Sequence, residues 1–225
     1  MTVRSALDPS YRALPAGAAR LYRLMSLFPG THFAGGLAAA AANVPGAEAE
    51  RLLRTLTHAS MLDDDTAGRY RFHDLTRLHA REMAGQYEPE AARDEAVRRM
   101  LDWYLAAAGS ASLTVTPYRA GTDLVADICF PPAEPPRFAD RGTALDWLDR
   151  ELPNVLAAAR LAASHRHHRA AWQLADAMWP VFLYQGRHAE RLEFDRLGLQ
   201  AARDGSDTLG EAKMLYRLGS AVMDA

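Results

Sequence analysis

Three short apolar stripes of helical period, the first two cut off by Pro29-Gly30 and by Asn43-Val44-Pro45-Gly46, lead into one pair of strand-like runs. This order constrains the fold more than any other feature of the chain. Asp8-Pro9 reads as an N-cap followed by a proline in the first helical position. Pro15 then restarts a helix with Leu14, Ala18, Leu21, Met25 and Phe28 on one face. A second helix is expected over about 33–42. A third, over about 47–59, carries Ala49, Leu52, Leu53 and Leu56 at helical spacing. Met61-Leu62 and Tyr70-Arg71-Phe72 flank Asp63-Asp64-Asp65-Thr66-Ala67-Gly68, a hairpin with an acidic turn. Three helices followed by a hairpin is the order of a winged-helix domain. Asp74 is placed to cap the next helix, about 75–83.

Helical patterning resumes near Pro89, with Val97, Met100, Leu101, Tyr104 and Leu105 facing inward. It fades from about 110 to 141, where Pro131-Pro132-Ala133-Glu134-Pro135-Pro136 favours an extended backbone. It returns at Gly142 with Ala144, Leu145 and Leu148, and continues after Pro153 through Leu156, Ala159, Leu161 and Ala163. A helix over about 169–184 carries Trp172, Ala175, Trp179 and Phe182. A last helix starts at Glu211 and contains Leu215-Tyr216-Arg217-Leu218-Gly219, which matches the Leu-Gly step of a tetratricopeptide repeat. Leu174 and Leu215 are candidate equivalent positions, more widely separated than the usual repeat of about 34 residues. The fold class expected is mainly α. A winged-helix domain with a small β-hairpin (residues 1–85) precedes a linker helix, a Pro-rich loop and a tetratricopeptide-like region (residues 88–225).

Several chemistries are disfavoured. Lys213 is the only lysine, and no glycine loop precedes it, so the chain lacks the Gly-Lys-Ser/Thr step of a phosphate-binding loop. No enzymatic activity is expected. A net charge of −2 gives no general pull toward nucleic acid or anionic lipid. In the third helix Arg51 and Arg54 are offset by Glu48 and Glu50, and the hairpin turn is acidic, so neither suits a phosphate backbone. His165-Arg166-His167-His168-Arg169 has no second ligand cluster and reads as a solvated helix–helix turn; no metal is expected. Ser110, Ser112, Asp127 and Cys129 form no nucleophile arrangement with a histidine. Trp103, Trp147, Trp172 and Trp179 sit at helical spacing and read as core. The single cysteine, the absence of a signal peptide and the lack of a membrane-length apolar run point to a cytoplasmic location.

Tyr70-Arg71-Phe72-His73-Asp74-Leu75 puts a His-Asp pair at a strand-to-helix junction. There an imidazole and a helix N-terminus can share one anion. With Ala6-Leu7-Asp8-Pro9-Ser10-Tyr11-Arg12-Ala13-Leu14-Pro15, Phe28-Pro29-Gly30 and Glu48-Ala49-Glu50-Arg51-Leu52-Leu53, this stretch resembles the winged-helix part of bacterial NB-ARC proteins of the STAND class. Leu101-Asp102-Trp103-Tyr104-Leu105, Ala144-Leu145-Asp146-Trp147-Leu148 and Ala171-Trp172-Gln173-Leu174-Ala175 resemble the segment joining that module to tetratricopeptide repeats. Antibiotic-biosynthesis transcriptional regulators of filamentous bacteria are the most similar members.

The resemblance implies a regulatory fragment that couples an ATPase core of the same polypeptide to a repeat sensor. His73 and Asp74 would contact the phosphate of bound ADP, in the complete module only. Phe72 stands where the family's motif has methionine. The fragment itself is expected to hold no cofactor; ADP or ATP would belong to the full-length protein. A protein or small-molecule inducer would bind the repeats, and DNA would be met only through a separate domain. Two alternatives remain open: a DNA-binding winged-helix transcription factor domain, and a tetratricopeptide interaction scaffold. Leu215, Leu218 and Val222 share a helix face with no second helix after it, so self-association is expected.

Overall fold

The computed structural model describes residues 3–65, 68–119 and 128–223. It is mainly helical, with one small antiparallel sheet, as the sequence pattern requires. It divides into two compact units, Met1–Met100 with Pro132–Glu134, and Leu101–Pro131 with Pro135–Ala225.

The first unit contains α1 (Val3–Arg12), α2 (Ala16–Met25), β1 (Phe33–Ala34), α3 (Gly35–Ala42), α4 (Gly46–His58), β2 (Asp63–Asp64), β3 (Arg69–Arg71) and α5 (Asp74–Tyr87). The stripes predicted for α2 and α4 are buried: Ala18, Leu21 and Met25 on one, Ala49, Leu52, Leu53 and Leu56 on the other. Both helices pack on α3, whose small side chains permit close approach, and α2 also packs on α5.

Four local expectations change. Phe33 and Ala34 form a strand rather than the start of a helix, because they pair with Tyr70 and Arg69 of β3. Asp63 and Asp64 belong to β2, opposite Arg71 and Tyr70, and are not turn residues. The sheet order is therefore β1-β3-β2, the three-stranded wing of a winged helix. Pro9 lies inside α1 and does not open it. Asp74 is the first residue of α5, while His73 occupies the cap position with extended backbone (φ −70°, ψ 152°) and no side-chain cap.

Polar groups tie α5 to the far end of α2. Arg77 donates to the carbonyls of Phe28 (3.1 Å) and Gly30 (2.7 Å), and Arg81 to that of Ser26 (3.0 Å). These carbonyls lie at and just beyond the negative end of α2, where cations are favoured. Burial lowers the pKa of Arg77 from its ordinary value, with Arg81 adding to the effect. The hydroxyl of Tyr22 donates to Thr76 O (2.7 Å) and meets His79 Nδ1 at 3.0 Å, while His79 Nε2 lies 3.2 Å from Asp8 Oδ1.

The helix α6 (Glu90–Val115) contains the division between the units, which falls after Met100. It runs past the expected fade at 110, because the burial of Ala107, Ala108, Ala111 and Val115 overrides the weak helix propensity of Gly109, Ser110, Ser112 and Thr114, until Pro117 opens a 3-10 turn, Pro117–Arg119. Asp127 lies outside the described residues.

The second unit continues with α7 (Arg141–Ser164), α8 (His168–Ala177), α9 (Trp179–Gln185), α10 (His188–Asp204) and α11 (Thr208–Met223). Asp140 and Thr143 form a capping box at the start of α7. The single helix expected over 169–184 is broken at Met178. Pro180 has no N–H to continue the ladder, so α9 starts afresh. α7 packs on α8, α8 on α10 and α11, and α10 on α11.

Both turns between long helices are built alike. Arg166 (φ 61°) and Ser206 (φ 53°) are left-handed. The following N–H groups, of His167 and Asp207, reach back to the carbonyls of Ala162 (2.8 Å) and Ala202 (2.9 Å). This is the Schellman ending that satisfies orphan carbonyls. It confirms the histidine-rich stretch as a helix–helix turn.

Helix α8 fits between its neighbours because glycine faces it on two of them. A Cβ on Gly198 would stand 2.9 Å from Ala175 Cβ, and one on Gly210 would stand 2.6 Å from Trp172 Nε1. Trp103, Trp147 and Trp172 are buried as expected, whereas Trp179 is only partly covered. On α11 Met214 is buried, while Leu215 and Tyr216 are exposed. Of the expected sticky face, Leu218 is half-buried and the Val222 side chain lies outside what is described.

Candidate functional site

His73 follows β3 and opens α5, and that places its imidazole at the edge of the sheet. The side chain is 59% exposed. Its Nε2–H donates to Asp63 Oδ1 at 3.0 Å, and the same carboxylate accepts from Arg71 Nε at 3.2 Å. The β2–β3 register explains the grouping, because Asp63 stands directly opposite Arg71. Asp74 is exposed and its charge complements the positive end of α5. His73 and Asp74 therefore face different partners. The polar partner of His73 is Asp63, a strand residue where the hairpin pattern predicts a turn.

Thr57, Ser60, Leu62, Asp63, Asp64, Arg71 and His73 rim a shallow recess around this group. Two basic side chains here face two carboxylates. An anion arriving at His73 would compete with Asp63 for the imidazole and would gain the free N–H groups at the start of α5. On α4, Arg51 is paired to Glu48 (2.5 Å). Arg71 is likewise engaged by Asp63 (3.1 Å), so both cations already have acidic partners.

A second polar group lies inside the helical unit, and the sequence reading did not single it out. Asp176, on α8, is 1% exposed. Its Oδ2 accepts from Arg119 Nη2 at 2.6 Å and its Oδ1 from Arg217 Nε at 2.9 Å. Both guanidiniums lie over the Trp179 ring, at 5.2 Å and 4.4 Å from its centroid. Burial lowers the Arg119 pKa, partly countered by Asp176. On α10, Asp195 is also buried, 3.7 Å from Arg191 Nε, and burial pushes its carboxyl up to about 6. The available sequence signal was a charged residue four positions after Trp172, on the inward stripe of a helix, where carboxylates rarely lie unpaired.

Among the described residues no group of three or more His, Cys, Asp or Glu is placed to hold a metal. No described helix is long and apolar enough to cross a membrane.

Comparison with known proteins places the chain within a longer architecture. It is 35% identical over 183 residues to the regulatory protein AfsR of Streptomyces coelicolor, an alignment covering 79% of this chain and 18% of that protein. It is 36% identical over 167 residues to the regulatory protein AfsR of Streptomyces griseus, covering 73% of this chain and 17% of that protein. The chain is thus homologous to a segment of AfsR-type regulatory proteins, and spans less than a fifth of the length of these curated relatives. No family model matches it, and no solved structure matches it.

Proposed function

We propose that this chain is the coupling segment of a STAND-type transcriptional regulator. In this reading it links the nucleotide state of an ATPase core in the same polypeptide to a sensor built from tetratricopeptide-like helices. The observation that carries the reading is the placement of His73. Its exposed imidazole stands at the N-terminus of α5, directly after the sheet, in a chain homologous to AfsR. An imidazole and free helix N–H groups are the two donors that a terminal phosphate needs at such a junction. The first unit would then hold ADP in the resting state through His73, with Asp74 at the helix start beside it. ADP would be supplied by the core.

The helical unit would read a protein or small-molecule inducer, and DNA would be met by a separate domain of the regulator. Antibiotic biosynthesis is the process such a protein would control, in the cytoplasm. The chain itself would carry out no chemistry.

The test uses the regulator with its ATPase core. ADP retained through purification is measured for the natural protein and for His73→Ala. The reading expects less retained ADP and a larger active fraction in the variant; equal retention refutes it. A gel shift of this chain with duplex DNA at low salt addresses direct DNA binding. No shift is expected, because Arg51 and Arg71 are already paired to acids.

A further inference from the structure

We infer that Asp63 is an internal stand-in for the nucleotide phosphate. It takes over the His73 imidazole as the nucleotide leaves, and so sets how readily ADP is released. This role rests on the nucleotide contact proposed for His73 and adds its regulation by a residue of β2.

His73 Nε2 lies 3.0 Å from Asp63 Oδ1 and 3.0 Å from Asp63 Oδ2. One nitrogen is thus set evenly between two carboxylate oxygens. A carboxylate can only accept, so the proton sits on Nε2. In the neutral ring Nδ1 is then an acceptor and offers nothing to a phosphate. The oxygen pair of a carboxylate and that of a phosphate present the same kind of acceptor to an N–H. Phosphate and Asp63 therefore compete for a single donor.

The contact is built to yield. Both side chains reach solvent, and a bond between two such groups contributes little. Its loss strands no charge on the acid. Asp63 Oδ2 keeps Arg71, whose Nε lies at 3.2 Å and Nη2 at 3.1 Å. That fork holds the carboxylate beside the imidazole whether or not His73 is engaged elsewhere. The register fixes the fork in turn, because Asp63 stands opposite Arg71 in the β2–β3 pair. A phosphate on His73 would also stand near the Asp63 charge, and like charges at short range repel. Both effects favour departure: the leaving phosphate escapes a negative neighbour, and the imidazole it leaves finds an acceptor already in place.

The test is ADP release from the regulator with its ATPase core. A fluorescently labelled ADP is bound, excess unlabelled ADP is added, and the decay is timed. Asp63→Asn should slow release roughly two- to fivefold, the span set by one exposed contact. Asp63→Ala, which removes the acceptor altogether, should also slow it. Asp64→Asn removes the same charge from the next residue of β2, in the same recess, and should slow release less than Asp63→Asn. His73→Ala should speed release. If His73→Ala speeds release while both Asp63 variants leave it unchanged or faster, the stand-in role is overturned and the His73 contact stands. Equal slowing by Asp63→Asn and Asp64→Asn also overturns the role, because general charge would then account for the effect. Unchanged release in His73→Ala removes the nucleotide contact itself, and the role of Asp63 with it.

Discussion

The imidazole of His73 and the carboxylate of Asp63 are 3.0 Å apart at the exposed edge of the sheet, although nothing in the local pattern of the hairpin links them. Asp63 thus occupies the donor that the proposed nucleotide contact requires. Two variants separate the roles. In this chain His73→Ala should change unfolding free energy by no more than roughly 0.5 kcal/mol, because a hydrogen bond between two exposed side chains contributes little. In the regulator with its ATPase core, Asp63→Asn should increase ADP retention by replacing the competing carboxylate with a neutral, weaker acceptor, while His73→Ala should decrease it. Nucleotide content after purification reads both, and a parallel loss in the two variants would show that the pair acts as a structural unit.

The close approach of α8 and α11 gives a second expectation. Replacing a helical glycine by alanine ordinarily stabilises by about 1 kcal/mol. At Gly210 the new Cβ would stand 2.6 Å from Trp172 Nε1 and 2.7 Å from its Cε2. Trp172 is fully buried and its Nε1 donates to Asp207 at 3.1 Å, so the ring has little freedom to move. Gly210→Ala should therefore destabilise by roughly 1–3 kcal/mol. Gly219→Ala, on the same helix with open space around it, should be neutral or stabilising. Urea unfolding of the two variants side by side checks the contrast.

These two sites show what could be read from the sequence. The stripe Ala49, Leu52, Leu53 and Leu56 was visible because a helix writes its buried face at a local period, and all four are buried. Strand β1 was not visible: two residues have no period of their own, and their pairing partners are Tyr70 and Arg69, far along the chain. The cluster at Asp176 was hidden for the same reason. Its arginines come from positions 57 before it and 41 after it, and only the fold brings them together. His73 was legible as a junction residue, but its partner Asp63 depended on strand register, which a short acidic run does not fix.

A third expectation concerns the buried polar link between α1, α2 and α5. His79 is 3% exposed and bridges the Tyr22 hydroxyl (3.0 Å) and Asp8 Oδ1 (3.2 Å). Replacing it with leucine keeps an apolar body of fair size but removes both hydrogen bonds. The Tyr22 hydroxyl keeps its bond to Thr76 O (2.7 Å), so only part of the network is stranded. His79→Leu should cost roughly 1–3 kcal/mol. Tyr22→Phe, which also removes the bond to Thr76, should cost about as much, and the double variant should cost less than the sum. Full additivity in a double-mutant cycle would show that the two side chains do not act as one network.

The last expectation is a pH dependence with a definite sign. Asp195 is buried, and among the described residues its Oδ2 has no hydrogen-bond partner; Arg191 Nε, at 3.7 Å, is too distant for one. Burial pushes its carboxyl from the ordinary 3.8 up to about 6. In the unfolded chain Asp195 loses its proton near 3.8, and in the folded chain near 6. Between these values the native state holds the extra proton, so the contribution of Asp195 to stability falls as pH rises through that window. Above it the penalty is complete, at roughly 1–3 kcal/mol. Asp195→Asn removes the titration. The stability of the natural chain, measured relative to that variant by urea unfolding, should therefore decline between about pH 4 and 6 and level off above. A difference that stays constant with pH, or that grows in favour of the natural chain as pH rises, would mean that Arg191 outweighs burial and holds Asp195 ionised.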